Sequence, residues 1–127
     1  MPSRPAQSKI FIIDDDDLFA DCIAKNIERQ LKNIDCQKFK NAIDAINSLT
    51  GPLPALIFLD VLLPGVDGFT FLNELVSYTD TAKIPIILVT SLDLPKFDLK
   101  NYGVVAILNK ETMTPESIVS YAKRYTH

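Results

Sequence analysis

The chain has 127 residues, 47% of them hydrophobic and 23% charged, which is one domain able to bury a core without a disulfide or metal staple. Its net charge of −3, with Lys123-Arg124 as the one tight basic pair, gives no bulk basic surface for nucleic acid. No apolar run approaches the ~20 residues of a membrane span, and Cys22 and Cys36 lack C-x-x-C or zinc spacing, so both read as small buried hydrophobes of a reducing cytosol.

Residues 1–8 read as a flexible arm without the apolar segment of a signal peptide, and the folded domain is expected over 9–127. "KIFII" (9–13) is a short β-branched run, the mark of a strand buried on both faces. Four aspartates, Asp14 to Asp17, follow it directly. Leu18, Cys22, Ile23, Ile27 and Leu31 then recur at steps that predict one helix face. "IDCQKF" (34–39) is a second, more polar strand expected near a sheet edge. Asn41 is placed to cap a helix whose buried side is Ile43, Ile46 and Leu49, and "GPLP" (51–54) breaks it.

"ALIFLD" (55–60) is the third strand, and "PGVDG" (64–68) is dense turn chemistry. Phe69, Leu72, Leu75 and Val76 form the third helical stripe. "IPIILVT" (84–90) and "VVAIL" (104–108) are strands four and five. Between them, Pro95 would interrupt a helix, so the fourth helical segment in 91–103 is expected to be short or irregular. The last helix starts at Thr114-Pro115 and turns Ile118, Val119 and Ala122 inward.

Five strands alternating with helical segments predict an α/β fold, a parallel sheet with helices on both faces. Ligands of such sheets bind outside the carboxyl ends of the strands. Asp14 and Asp15 follow strand one, Asp60 ends strand three, Thr90 and Ser91 end strand four, and Lys110 follows strand five. If strands one and three are neighbours, three carboxylates converge, and they cannot all stay ionised unaided. Mg²⁺, a hard cation that takes carboxylate and phosphate oxygens, answers that repulsion. The Thr90 hydroxyl and the Lys110 ammonium suit the outer oxygens of a phosphoryl group. The site reads as Mg²⁺-assisted phosphoryl chemistry with a carboxylate nucleophile. Asp16 and Asp17 belong instead to the start of the first helix, where carboxylates favour its dipole, and Asp67 is a turn residue ahead of Gly68.

The pieces "FIIDD", "IFLDVLLPGVDGF", "IILVTS" and "LNK", in this order and each at a strand end, resemble the receiver domain of two-component response regulators over residues 9–125. The most specific piece is Asp60 followed by Pro64 and by Asp67-Gly68. The resemblance implies a flavodoxin-like doubly wound sheet of strand order 2-1-3-4-5. It also implies that Asp60 accepts a phosphoryl group from a phosphohistidine on a sensor histidine kinase or histidine phosphotransfer protein. By the same resemblance Asp15 binds Mg²⁺ directly, Asp14 assists through water, and the backbone carbonyl of Leu62 is a further ligand. Thr90 would hydrogen-bond the phosphoryl group and Lys110 would pair with it, which makes a cytoplasmic signalling domain rather than an enzyme, with a protein as its downstream target.

Two positions and one spacing depart from that pattern. Glu111 follows Lys110 where the family usually has proline, Ile107 stands where an aromatic is frequent, and the 20 positions from Thr90 to Lys110 are slightly few. Leu62 and Leu92, two residues beyond Asp60 and Thr90, are apolar; in the family that the chain resembles these positions influence loss of the phosphoryl group, so restricted water access and a long-lived phosphorylated state are expected. Two other readings compete: a receiver-like module that binds partners without phosphorylation, and a haloacid-dehalogenase-like phosphatase suggested by Asp14-x-Asp16, Thr90 and Lys110. The second lacks an acidic motif after the lysine and leaves the turn beyond Asp60 unexplained.

Overall fold

The computed structural model describes residues 7–91 and 99–126. Five strands, β1 (Ser8–Ile13), β2 (Ile34–Phe39), β3 (Leu56–Asp60), β4 (Ile86–Thr90) and β5 (Val104–Asn109), form one parallel sheet in the order β2-β1-β3-β4-β5. The described helices are α1 (Asp17–Gln30), α2 (Ala42–Asn47), α3 (Gly68–Val76) and α4 (Pro115–Thr126), with 3-10 turns at Thr81–Lys83 and Lys100–Tyr102. The predicted strand order and all five strands are therefore present. β4 starts two residues later than predicted, after Pro85, and Ser8 already pairs with Ile34, so the strand takes in the last residue assigned to the arm.

The strands differ as their sequences do. β3 and β4 are buried along their whole length, β1 is buried from Ile10 onward, and edge strand β2 is only half-buried. Alternate side chains feed two cores on opposite faces of the sheet. Phe11, Ile13, Ile57, Leu59, Ile86 and Leu88 pack with Ala42 and Ala45 of α2 and with Phe71, Leu72 and Leu75 of α3. Ile10, Ile12, Phe58, Ile87 and Val89 pack with Ala20, Ile23, Ala24 and Ile27 of α1 and with Ile118 and Ala122 of α4. At ~25 cal/mol per Å² of apolar surface, these two layers are the main source of stability.

Each helix begins on a polar cap. Asp16 accepts from the Phe19 amide, Asn41 from the Asp44 amide and Asp67 from the Thr70 amide, while Thr114 Oγ1 accepts from the Ser117 amide just ahead of Pro115. Asp16 and Asp17 thus start α1 as predicted, and Asp17 also pairs with Lys40 at 3.1 Å. Burial pushes the Cys36 thiol up to about 12, as suits a small half-buried apolar residue.

Several predicted core positions are corrected. Leu18 is 83% exposed and Cys22 is exposed, because the buried stripe of α1 runs through positions 20, 23, 24 and 27. Leu18 and Cys22 lie roughly 140° and 100° around the helix from Ile23. Ile43 is 54% exposed, since the short α2 presents Ala42 and Ala45 to the sheet and leaves Ile46 and Leu49 at the margin. Val119 is only half-buried beside Ile118. In β5 the pairing shifts between Ile86 and Ile87, so Val105 falls outside the ladder, and Val105 and Ile107 are both exposed.

Pro95, Leu92 and the predicted irregular helix around them lie outside the described residues. The connection re-enters through the turn at Lys100–Tyr102, which ends on Gly103 at φ 77°, a left-handed conformation that glycine adopts freely. At the far end of the sheet from the strand carboxyl ends, the Ser8 hydroxyl donates to the Thr126 carbonyl at 3.4 Å. Among the described residues no helix is long and apolar enough to cross a membrane.

Candidate functional site

Four of the five strands deliver a polar side chain to one rim. Asp14 follows β1, and its amide donates to the carbonyl of Phe39 at 2.9 Å, which fixes the chain as it leaves the sheet. Asp60 is the last residue of β3 and Thr90 the last of β4, and the Lys110 amide donates to the Thr90 carbonyl at 3.0 Å. Asp14, Asp60 and Thr90 are the buried polar residues of the described chain, each at most 5% exposed.

The two buried carboxylates are held alike. Asp14 Oδ1 accepts from the Asp16 amide at 2.9 Å and Asp60 Oδ1 from the Leu62 amide at 3.0 Å, the two-residue bond typical of aspartate at a turn. Their second oxygens both meet the Lys110 ammonium, at 2.8 Å for Asp14 and 3.1 Å for Asp60. Lys110 therefore bridges strands one and three from the end of strand five, and its side chain is 19% exposed.

Burial shapes the charges. It pushes the Asp14 carboxyl above its ordinary value, against the hydrogen bonds from Lys110 and Asp16 that favour ionisation. For Lys110 burial opposes the charge, but hydrogen bonds to Asp14 and Asp60 outweigh it and hold the ammonium above its ordinary value. Asp15 is exposed beside them, and one carboxylate oxygen each from Asp14, Asp15 and Asp60 lie within 4.8 Å of one another. Of the predicted site residues, Asp14, Asp60 and Lys110 meet side chain to side chain, Thr90 is buried at the same rim and meets Lys110 through its backbone carbonyl, Asp15 stands at the solvent side, and Leu62, 55% exposed, reaches the site through its amide. Leu92 lies outside the described residues.

Gly68 explains how α3 can start so near. A side chain there would put its Cβ 2.7 Å from the Val61 Cα and 2.9 Å from the Asp60 carbonyl oxygen, and the Gly68 amide donates to Val61 at 3.2 Å. Asp67, read as a turn residue, caps that helix, and the hydrogen bonds from Thr70 hold its carboxyl below the usual range.

The family model for the response regulator receiver domain matches residues 10–123. The chain belongs to the response regulator receiver domain family. A curated relative, the DNA-binding dual master transcriptional regulator RpaA from a Synechocystis species, is 37% identical over 84 residues, which cover 66% of this chain and 34% of RpaA. The chain spans between 18% and 54% of the length of the curated relatives it matches. Among solved structures, the signal receiver domain of a signal transduction histidine kinase from Syntrophus aciditrophicus is 26% identical, with a TM-score of 0.78 over 94% of this chain and 89% of that one. The Mn²⁺-bound form of response regulator Rcp1 shares the fold at a TM-score of 0.78 and 18% identity, over 94% and 95% of the two chains.

Two further features shape the site of this receiver domain. The turn after β5 is built without a proline: Asn109 Oδ1 accepts from the Glu111 amide at 2.8 Å, and the Asn109 carbonyl accepts from Thr112 and Met113. The second is Phe19, whose ring lies under the Lys110 ammonium at 4.6 Å. Neither Asn109 nor Phe19 was assigned a role from the sequence. An aromatic one turn into the helix that leaves the acid pair, and an amide side chain just before the lysine, were the available signals.

The donors of this receiver domain fit a hard divalent cation. They are carboxylate oxygens, three acids share one corner, and Asp15 has no bulky cover.

Proposed function

We propose that this receiver domain is a phosphorylation-controlled signalling domain. In this reading Asp60 accepts a phosphoryl group from the phosphohistidine of a histidine kinase or histidine phosphotransfer protein. The observation that supports it most is the pairing of Asp60 with Lys110 beside Asp14 and Asp15. An Asp60 carboxylate oxygen attacks phosphorus, the bond from phosphorus to the histidine nitrogen breaks, and that nitrogen keeps the electron pair. The product is an acyl phosphate on Asp60.

Asp15, Asp14, Asp60 and the Leu62 carbonyl would hold Mg²⁺, whose contribution is to offset the negative charge of the phosphoryl oxygens. The Leu62 amide already holds one Asp60 oxygen, which orients the carboxylate. Lys110 exchanges a carboxylate contact for a phosphoryl oxygen, and the Thr90 hydroxyl donates to another. The added charge then biases the surface presented to a downstream protein. The Mn²⁺ named for Rcp1, which shares this fold, supports a divalent cation as ligand. The domain would work in the cytoplasm as a switch rather than as an enzyme that turns over a substrate.

Incubation with acetyl phosphate and Mg²⁺, followed by the intact mass, tests this. The protein should gain one phosphoryl group, and Asp60→Asn should gain none. An unmodified parent would point to a phosphorylation-independent binding module. Sustained turnover of a phosphate monoester would point to a phosphatase.

A further inference from the structure

The Lys110 ammonium has three N–H bonds, and two are taken by Asp14 and Asp60 at 2.8 and 3.1 Å. The remaining side faces the ring of Phe19, 4.6 Å from its centroid. An ammonium within about 6 Å of an aromatic face is attracted by the ring quadrupole, more strongly where water is excluded. Water is partly excluded here, since the Lys110 side chain is 19% exposed. The ring is itself anchored. Phe19 packs against the core between the sheet and α1, and its amide donates to the Asp16 cap at 3.2 Å.

The three partners of Lys110 are not equivalent once the site is loaded. A metal ion or a phosphoryl group held there would compete for the oxygens of Asp14 and Asp60, and the ammonium would give up part of its hold on them. Lysine sits on a flexible four-carbon stem, so an ammonium without its carboxylates swings toward solvent. The uncharged ring coordinates neither group and stays available throughout.

The geometry points to Phe19 as a positioning residue: its ring keeps the Lys110 ammonium over Asp60 while the carboxylates change partners. This assignment rests on the proposed phosphorylation of Asp60. Its seat for Lys110 is also measurable without phosphate.

Phe19→Leu removes the ring and keeps apolar volume, while Phe19→Tyr keeps the ring. In the parent and in Phe19→Tyr, ring currents should shift the Lys110 ε-methylene protons upfield in the NMR spectrum. In Phe19→Leu they should return to the position of a free lysine. With acetyl phosphate and Mg²⁺, Phe19→Leu should slow phosphorylation about tenfold, with Phe19→Tyr near the parent rate. Made in a Lys110→Met background, Phe19→Leu should change the rate by less than about twofold, because its effect runs through the lysine.

Equal slowing by Phe19→Leu in both backgrounds would make Phe19 a packing residue and overturn the assignment. So would Lys110 protons that do not move when the ring is removed. If the parent takes up no phosphate, the functional reading fails, and the NMR comparison still decides whether Phe19 seats Lys110.

Discussion

Asp14 and Asp15 are neighbours in sequence and opposites in environment. Asp14 is buried against Lys110, whereas Asp15 is exposed with its oxygens turned to the same corner. Of the two, Asp15 has no lysine to displace among the described residues, so it is the carboxylate most open to a cation. Saturating Mg²⁺ should therefore raise the melting temperature, since binding at about ten times Kd adds ~1.4 kcal/mol to the folded state. Asp15→Asn should lose more than half of that rise in a thermal melt, and a variant that keeps it would remove Asp15 from the metal set. The division of the acid run into two site residues and two helix-start residues was legible from the rim rule and from capping chemistry. Phe19 was not, because its role depends on where the ammonium of a lysine from another strand comes to rest. No local spacing encodes that distance.

The helices show a different limit. Their positions followed from apolar periodicity and caps, and three of the four N-caps of the described α-helices, Asp16, Asn41 and Asp67, are aspartate or asparagine. Which apolar residues they bury was less legible. Leu18, Cys22 and Ile43 satisfy a three- and four-residue spacing, but in α1 and α2 the small residues Ala20, Ala24, Ala42 and Ala45 let the helices approach the sheet. Close approach favours alanine stripes, and the larger side chains are left at the margin. Caps have consequences of their own size. Asp67 accepts both the amide and the hydroxyl of Thr70, at 2.9 and 3.0 Å. Asp67→Ala should cost about 1 kcal/mol. In urea denaturation the midpoint should fall at an unchanged slope, and an unmoved midpoint would show that α3 does not depend on this cap.

For the molecule as a whole, a single sheet separates two cores, and neither core is complete without it. Ile57 faces the α2 and α3 side and Ile87 faces the α1 and α4 side, both at 0% exposure. Ile57→Val and Ile87→Val should each cost about 1 kcal/mol. Circular dichroism and tyrosine fluorescence should then report one coincident unfolding transition in each variant. Separate transitions would mean that the two layers melt independently. This architecture was readable because β-branched runs, turn residues and alternation permit few arrangements once crossovers are right-handed. The edge of β5 was not readable. The shift that takes Val105 out of the ladder depends on how β4 is met, and nothing in "VVAIL" announces it.

The contact of Ser8 with Thr126 lies at the amino ends of the strands, the rim opposite Asp60. Among the described residues, the first strand and the last helix therefore meet at the back of the molecule, on the opposite rim from the acid corner. Such a unit can be spliced as a cassette into a surface loop of another protein without stretching its host. It can equally be closed into a ring and reopened at the exposed Gly51–Pro52 turn, with all five strands and the acid corner uncut.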